Sequence, residues 1–211
     1  MAVRLRGLPP GRAGLTWLVR RRDVAKRGGD LLERKLRILL AEELIYAMRV
    51  ERTGVEWSDA VRDLERWMLR SAVISGECSA ESANNGGAGE VEVTWTLTMG
   101  VRYPSTATWW APERPVGAFP TDNSALLHAR PAAERAVRAG VDHAVAVAAH
   151  DAVRAEIATT RRQLRALRER WIPRLQSAHA GLLVALDDQE HDEHVRLRWA
   201  ADPAASGRAR L

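Results

Sequence analysis

EVEVTWTLTMGVRYP, residues 90–104, is the only stretch of this chain that alternates with period two. Successive side chains of a strand point to opposite faces. Val91, Val93, Trp95 and Leu97 are therefore expected on one face and Glu90, Glu92, Thr94, Thr96 and Thr98 on the other. A second β-prone run, residues 101–110, follows Met99-Gly100, and two such runs joined by a short Gly-containing segment predict a hairpin. Pro104 offers no ladder donor, which confines the second strand to an edge. Helical sequence lies on both sides, so the hairpin reads as the tip of a folded-back helical rod.

Upstream, residues 1–12 form a basic lead-in that ends in Pro9-Pro10-Gly11, a natural place for a helix to begin. The first helix is expected over residues 13–74. Its apolar positions Leu15, Leu18, Ala25, Leu32, Leu36 and Leu39 follow a coiled-coil spacing, with Arg22 and Gly29 as weak seam positions. The register slips near Leu40 and recovers at Trp57, Val61, Leu64 and Met68. About 60 residues at a 1.5 Å rise would give a rod of roughly 90 Å. Residues 75–130 are expected to hold a Gly- and Asn-rich loop, the hairpin and a Pro-rich connector.

Downstream, Asn123-Ser124 could cap a short turn, and Pro131 suits the first position of a second long helix over residues 131–201. Its stripe runs through Val137, Val141, Ala144, Ala148, Ile157, Leu164, Leu167 and Trp171, then moves by one residue to Ile172, Leu175, Leu182 and Leu186. Pro173 lies at that shift, and an internal proline removes a backbone bond, so a kink is expected near Arg170. Residues 202–211 read as a flexible tail. The expected fold is mainly α: a long antiparallel two-helix coiled coil with a small β-hairpin between the helices, in one elongated domain.

Charge gives an expected register. Basic Arg20, Arg21, Arg22, Lys26 and Arg27 should oppose acidic Asp187, Asp188, Glu190, Asp192 and Glu193, and Glu42 and Glu43 should oppose Arg165 and Arg168. Facing numbers would then sum to about 210. Exposed pairs contribute under about 1 kcal/mol each, so this pattern would set register more than stability.

Composition supports an elongated helical protein: one Phe, two Tyr, and an excess of Ala, Leu, Val and Arg. The eight Trp are dispersed and read as packing and interface residues. The net charge of +5 comes almost wholly from Arg, because Lys26 and Lys35 are the only lysines, so charge alone is weak support for nucleic-acid binding. The single Cys78 fits a reducing cytoplasm. No apolar run reaches the roughly 18 to 20 residues that span a bilayer, and the N-terminus lacks an apolar signal core, so the chain is read as soluble and unexported.

Catalytic chemistry finds no foothold. No phosphate-binding loop is present: Gly28-Gly29 sits in a helical pattern, and Gly86 to Gly89 lack a following Lys. His191 and His194 are read as a solvated helix face, since no second cluster offers complementary metal ligands. Asp188-x-x-His191 occurs once where di-metal bundles use the motif twice. No nucleophile elbow is found. No catalytic, metal or cofactor-binding residue is assigned, and no cofactor is expected.

Three segments resemble one family, the central-rotor D subunits of V/A-type rotary ATPases. PGRAGLTWLVRRRDVAKRGGDLLERK, residues 10–35, is similar to its opening pattern; MGVRYP, residues 99–104, to its hairpin region; TRRQLRALRERWIPRL, residues 160–175, with LDDQEHDEHVRLR, residues 186–198, to its C-terminal helix. Together they cover roughly three tenths of the chain, in the right order. Arg165 stands where the family pattern usually has Asn, Gly29 where His is common, and the loop before the hairpin is idiosyncratic.

The resemblance implies a shaft whose termini enter the bore of a catalytic hexamer of A and B subunits. Arg12, Arg20, Arg21, Arg22, Lys26, Arg27, Arg196 and Arg198 would face that hexamer. The hairpin end would lie nearer the membrane, with Val91, Val93, Trp95, Met99 and Val101 meeting the F subunit or the C (or d) subunit, which links to the membrane ring. ATP hydrolysis would turn the shaft and move protons or sodium ions, with no direct membrane insertion and no nucleic acid involved. The complex would lie on the inner face of the cell membrane. A basic coiled-coil nucleic-acid-binding or scaffold protein is the alternative. The γ shaft of F-type synthases is disfavoured, because the roughly 55 residues between Ser75 and Pro131 cannot hold its larger α/β insert, whose βαβ units need about 30 residues each.

Overall fold

The computed structural model describes residues 7–75, 88–112 and 123–201. In order these form helix α1 (Arg12–Ser75), strands β1 (Glu90–Thr98) and β2 (Val101–Trp110), helix α2 (Ser124–Arg165), a π-helical turn (Ala166–Trp171) and helix α3 (Ile172–Ala201). The fold is mainly helical, with one long helix, one long joined helix and a small antiparallel hairpin between them. The expected basic lead-in up to residue 6, most of the Gly/Asn-rich loop, most of the Pro-rich connector and the tail from residue 202 lie outside the described residues.

The hairpin closes through Met99 (φ 51°) and Gly100 (φ 80°). Two consecutive left-handed residues make the primed turn whose twist matches that of the flanking strands. Thr98 opposite Val101 is the pair that closes it, and alternation runs outward through Leu97–Arg102, Thr96–Tyr103 and Trp95–Pro104. The ladder then slips: Thr94 pairs with Thr106, which leaves Ser105 as the extra residue of a bulge beside Pro104. Ser105 Oγ donates to Thr94 O at 3.1 Å, and Arg49 Nη1 of α1 donates to Ser105 O at 2.9 Å. Pro104 thus costs the ladder nothing, because it lies opposite Trp95 where the two residues turn their backbone groups away from each other.

The chain divides into two compact units, Lys35–Thr159 and the combination of Met1–Arg34 with Thr160–Leu211. In the first, Leu39 and Tyr46 of α1, Tyr103 of β2, and Ala149, Val153 and Ile157 of α2 form one buried cluster. Ion pairs Lys35–Glu156, Glu43–Arg154 and Asp63–Arg135 flank it, and their falling partner numbers show α1 and α2 to be antiparallel there. Thr53 Oγ1 lies 3.1 Å from His143 Nδ1, and the His143 ring stacks on Trp57 with centroids 5.5 Å apart. A second His–Trp stack joins His128 to Trp67 at 4.4 Å.

In the other unit Leu18, Ala25 and Leu175 are the buried centre, with Trp17, Leu167, Trp171, Ile172 and Leu182 packed around them. Arg12 pairs with Glu190 at 2.8 Å and Glu33 with Arg168 at 2.5 Å, again antiparallel.

These contacts correct the charge register. Arg12, not Arg20 to Arg27, meets Glu190, and Glu43 meets Arg154 instead of Arg165 or Arg168. Facing numbers sum to between 191 (Lys35 with Glu156) and 202 (Arg12 with Glu190), roughly 8 to 19 below expectation. The apolar seam fixes the register, and weak exposed charges take whichever partners it brings within reach.

The second helix begins at Ser124, not at Pro131, which lies inside α2. Asn123 is the cause. Its Oδ1 accepts from Ala125 N–H at 2.9 Å, and its Nδ2 donates to Ser71 O and Oγ at 3.0 and 2.9 Å. This buried cap starts the helix early enough that the proline becomes an internal residue. The seam also differs in detail. Val137, Ala144 and Ala148 are exposed, whereas Ala136, Val145, Ala146, Ala149 and Val153 are buried. On α1, Met68 is exposed, and its neighbour Trp67 lies half-buried against His128.

The irregularity expected at Pro173 takes the form of the π turn. Ile172 N–H donates to Leu167 O, five residues back. A π turn accommodates one extra residue, which is why the apolar stripe moves by one between Trp171 and Ile172. Both side chains pack on the same core.

Candidate functional site

Two surfaces carry the residues singled out in the sequence. On the unit holding the chain ends, Arg20, Arg21, Lys26, Arg27, Arg196 and Arg198 are exposed. Arg12 is exposed too, but Glu190 engages it through a hydrogen bond and its charge, which raises the guanidinium pKa further above its ordinary value. Arg21 lies over the Trp17 ring at 5.3 Å. Arg22 differs: it is half-buried, its Nε stands 3.5 Å from Asp23 Oδ1, and that nitrogen makes no hydrogen bond among the described residues. Gly29 is buried under Leu164 and Leu167 of the facing helix.

The second surface is the hairpin. Tyr103 anchors it: the ring is 2% exposed, meets Tyr46 edge-on at 5.3 Å, and its hydroxyl lies 2.8 Å from Thr98 Oγ1. Val101 packs half-buried against this same core. The face of β1 that turns toward the core is therefore its threonine face, with Thr96 and Thr98 half-buried. The apolar face points outward: Val91 is 49% exposed, Val93 37%, Trp95 51% and Leu97 70%, with Met99 at the turn 47% exposed. Arg102, opposite Leu97, lays its guanidinium over Trp95 at 4.8 Å. Glu90, Val91, Glu92 and Trp110 line a notch at the open end of the hairpin.

Sequence reasoning missed a third feature. Ile38, Ala41, Ile45 and Met48 of α1 are exposed at three- and four-residue spacing, with Val55 seven residues further on, so this helix bears a second apolar stripe besides its seam. The spacing was a readable signal, masked by the stronger Leu36–Leu39 pattern beside it. Tyr46 and Arg49, which hold the hairpin to α1, had no signal of their own.

Among the described residues no three His, Cys, Asp or Glu side chains converge where a metal could sit. Also among them, no helix is long and apolar enough to cross a membrane.

The family model for the D subunit of ATP synthase matches residues 14–202, most of the chain. No curated protein matches it. A match over that length takes in both helical arms and the hairpin. The chain belongs to the ATP synthase D-subunit family and is a component of a rotary ATPase complex.

Proposed function

We propose that this protein is the central rotor of a V/A-type ATPase or ATP synthase, a single shaft domain without catalytic residues of its own. It couples ATP hydrolysis or synthesis in the A/B hexamer to movement of protons or sodium ions across the membrane. The observation that carries this reading is the segregation of surface chemistry within a member of this family. Arg20, Arg21, Lys26, Arg27, Arg196 and Arg198 present cations on the unit with the chain ends, and Val91, Val93, Trp95 and Met99 present an apolar face on the hairpin. A hexamer bore that holds a turning shaft favours charged, solvated contact, which slides without a large desolvation cost. A partner that turns with the shaft favours apolar contact, which is held by burial.

On this reading the termini enter the bore, the hairpin lies toward the membrane with the F subunit on its flank, and the C subunit links it to the ring. The complex then sits at the cytoplasmic, inner face of the membrane. The π turn before Pro173 and the uneven basic surface make the shaft asymmetric, so that each catalytic site meets a different face as it turns. Co-expression with A, B, F and C homologues followed by native mass spectrometry tests the assignment. The expected result is a complex containing this chain with the F homologue and the hexamer; a chain that binds neither refutes it.

A further inference from the structure

The two outer edges of the hairpin are guarded very differently. An exposed strand edge is a row of unpaired N–H and C=O groups, and proteins normally blunt it with proline, lysine, a bulge or a covering element. β2 has three such devices: Pro104, the bulge at Ser105, and Arg49 of α1 bonded to Ser105 O. β1 has none. Its nine residues, EVEVTWTLT, contain no Pro, Gly or Lys, and its pairing partners are unbroken except at the bulge on the opposite strand. Every residue of β1 is exposed except half-buried Thr96 and Thr98.

The turn fixes which backbone groups are open. Thr98 and Val101 close a two-residue loop and so exchange hydrogen bonds; alternation then turns the N–H and C=O of Leu97, Trp95, Val93 and Val91 to the outside. These residues also carry the exposed apolar side chains. Apolar face and open backbone edge thus run side by side along the same strand. The opposite face carries Glu90 and Glu92 and then threonines, without a basic residue of the hairpin across from either acid: Glu90 faces Trp110 and Glu92 faces Thr108.

We propose that the outer edge of β1 receives an extended segment of a stalk partner as a third strand, with apolar residues alternating with basic or hydroxyl residues. The proposal rests on the reading of the hairpin as the stalk-partner face. Apolar residues of that segment extend the Val91–Leu97 face, and basic ones oppose Glu90 and Glu92, since neighbouring strands are stabilised by like-with-like apolar pairs and by opposite charges. Main-chain bonds supply affinity and the alternation supplies specificity. A helix docked on the apolar face alone would leave the backbone edge open and ignore the acids.

The test uses the full-length chain, isotope-labelled, and a nine-residue synthetic peptide in which valine alternates with arginine, lysine and threonine. The expected result is slower amide exchange at Val91, Val93, Trp95 and Leu97 by about tenfold or more with peptide in excess, and no effect from a scrambled peptide of the same composition. Val93→Pro removes an outward N–H without touching the ladder and should weaken binding about tenfold, whereas Val93→Thr keeps the backbone and should stay within about threefold. Resonances of Tyr46 and Tyr103 report that the hairpin remains anchored in both variants.

Absence of protection overturns the proposal, as does equal weakening by both variants, which would mean docking on the face and not on the edge. Protection that rises with the chain's own concentration and no peptide would also overturn it, by assigning the edge to a second copy. Co-purification with the F and C homologues separates this inference from the reading beneath it. A wild-type chain that captures neither homologue refutes the stalk-partner reading while the peptide result still reports on the edge. Loss of capture in Val93→Pro but not in Val93→Thr supports both.

Discussion

Tyr103 of β2 stands edge-on to Tyr46 of α1, with ring centroids 5.3 Å apart and planes at 78°, and this contact holds the hairpin to the helices. Burial first, and then Tyr103, push the Tyr46 phenol up to about 12. The unfolded chain would titrate it near 10. A folded pKa raised above the unfolded one stabilises fully below pH 10 and is lost as pH rises toward 12. The loss is on the order of 2 kcal/mol. Urea unfolding of the full chain at rising pH should therefore show stability falling through that window. Tyr46→Phe should flatten the fall; a variant that tracks wild type step for step would place its cause elsewhere.

Asn123 joins three backbone and side-chain groups with one buried amide. Its 1% exposure leaves no water to replace them. Asn123→Ala removes the α2 cap and both buried bonds from Asn123 to Ser71, so a loss of about 2 to 4 kcal/mol is expected. Asn123→Asp keeps the cap acceptor but lacks the donor to Ser71, and should cost less than alanine only if capping dominates. Chemical denaturation of both variants measures the split.

The hairpin was legible because alternation is a strong local signal: its span, two-residue turn and polar and apolar faces are all as Glu90 to Pro104 suggest. Which face meets the helices was not legible, since that depends on Tyr46 and Arg49, far away in sequence. The seam of α1 through Leu18, Ala25 and Leu39 could be read because these residues fall seven and fourteen apart, with the charged runs Arg20–Asp23, Lys26-Arg27 and Glu33–Lys35 between them. In α2 the run HAVAVAAH, residues 143–150, is apolar at nearly every position, so periodicity could not tell Ala148 from Ala149. Proline misled once: the starting signal at Pro131 was overruled by the buried cap at Asn123, and the helix begins at Ser124. Of the basic residues, exposure was readable for most, but the half-burial of Arg22 depends on long-range packing.

Two glycines should respond to alanine in opposite ways. At Gly29 an added Cβ would rest 3.6 Å from Leu167 Cδ2, an ordinary contact. Gly29→Ala should then gain about 0.5 to 1 kcal/mol from helix propensity. At Gly14 the Cβ would collide with Pro9 O, a backbone atom that cannot rotate away. Gly14→Ala must displace the Pro9 turn, and a loss of about 1 to 3 kcal/mol is expected. Thermal unfolding of the pair decides it, and equal shifts of the same sign would contradict the helix packing described above.

The π turn makes the sharpest prediction. Ala166–Trp171 takes up one more residue than an α-helix would, and so both Leu167 in its first half and Leu175 after it reach the core around Leu18 and Ala25. Deleting exposed Arg170 should convert the turn to regular α-helix without moving either flank off the seam. Deleting exposed Asp151, in regular α2, should instead rotate every later seam residue by about 100° and expose the apolar stripe. The Arg170 deletion is expected to keep its helical circular dichroism and to melt within about 5 °C of wild type, a difference of roughly 1 to 2 kcal/mol, while the Asp151 deletion loses cooperative unfolding. If the two deletions are equally damaging, the extra residue is not absorbed at the π turn, and the shift of the stripe at Ile172 must arise from bending at Pro173 instead.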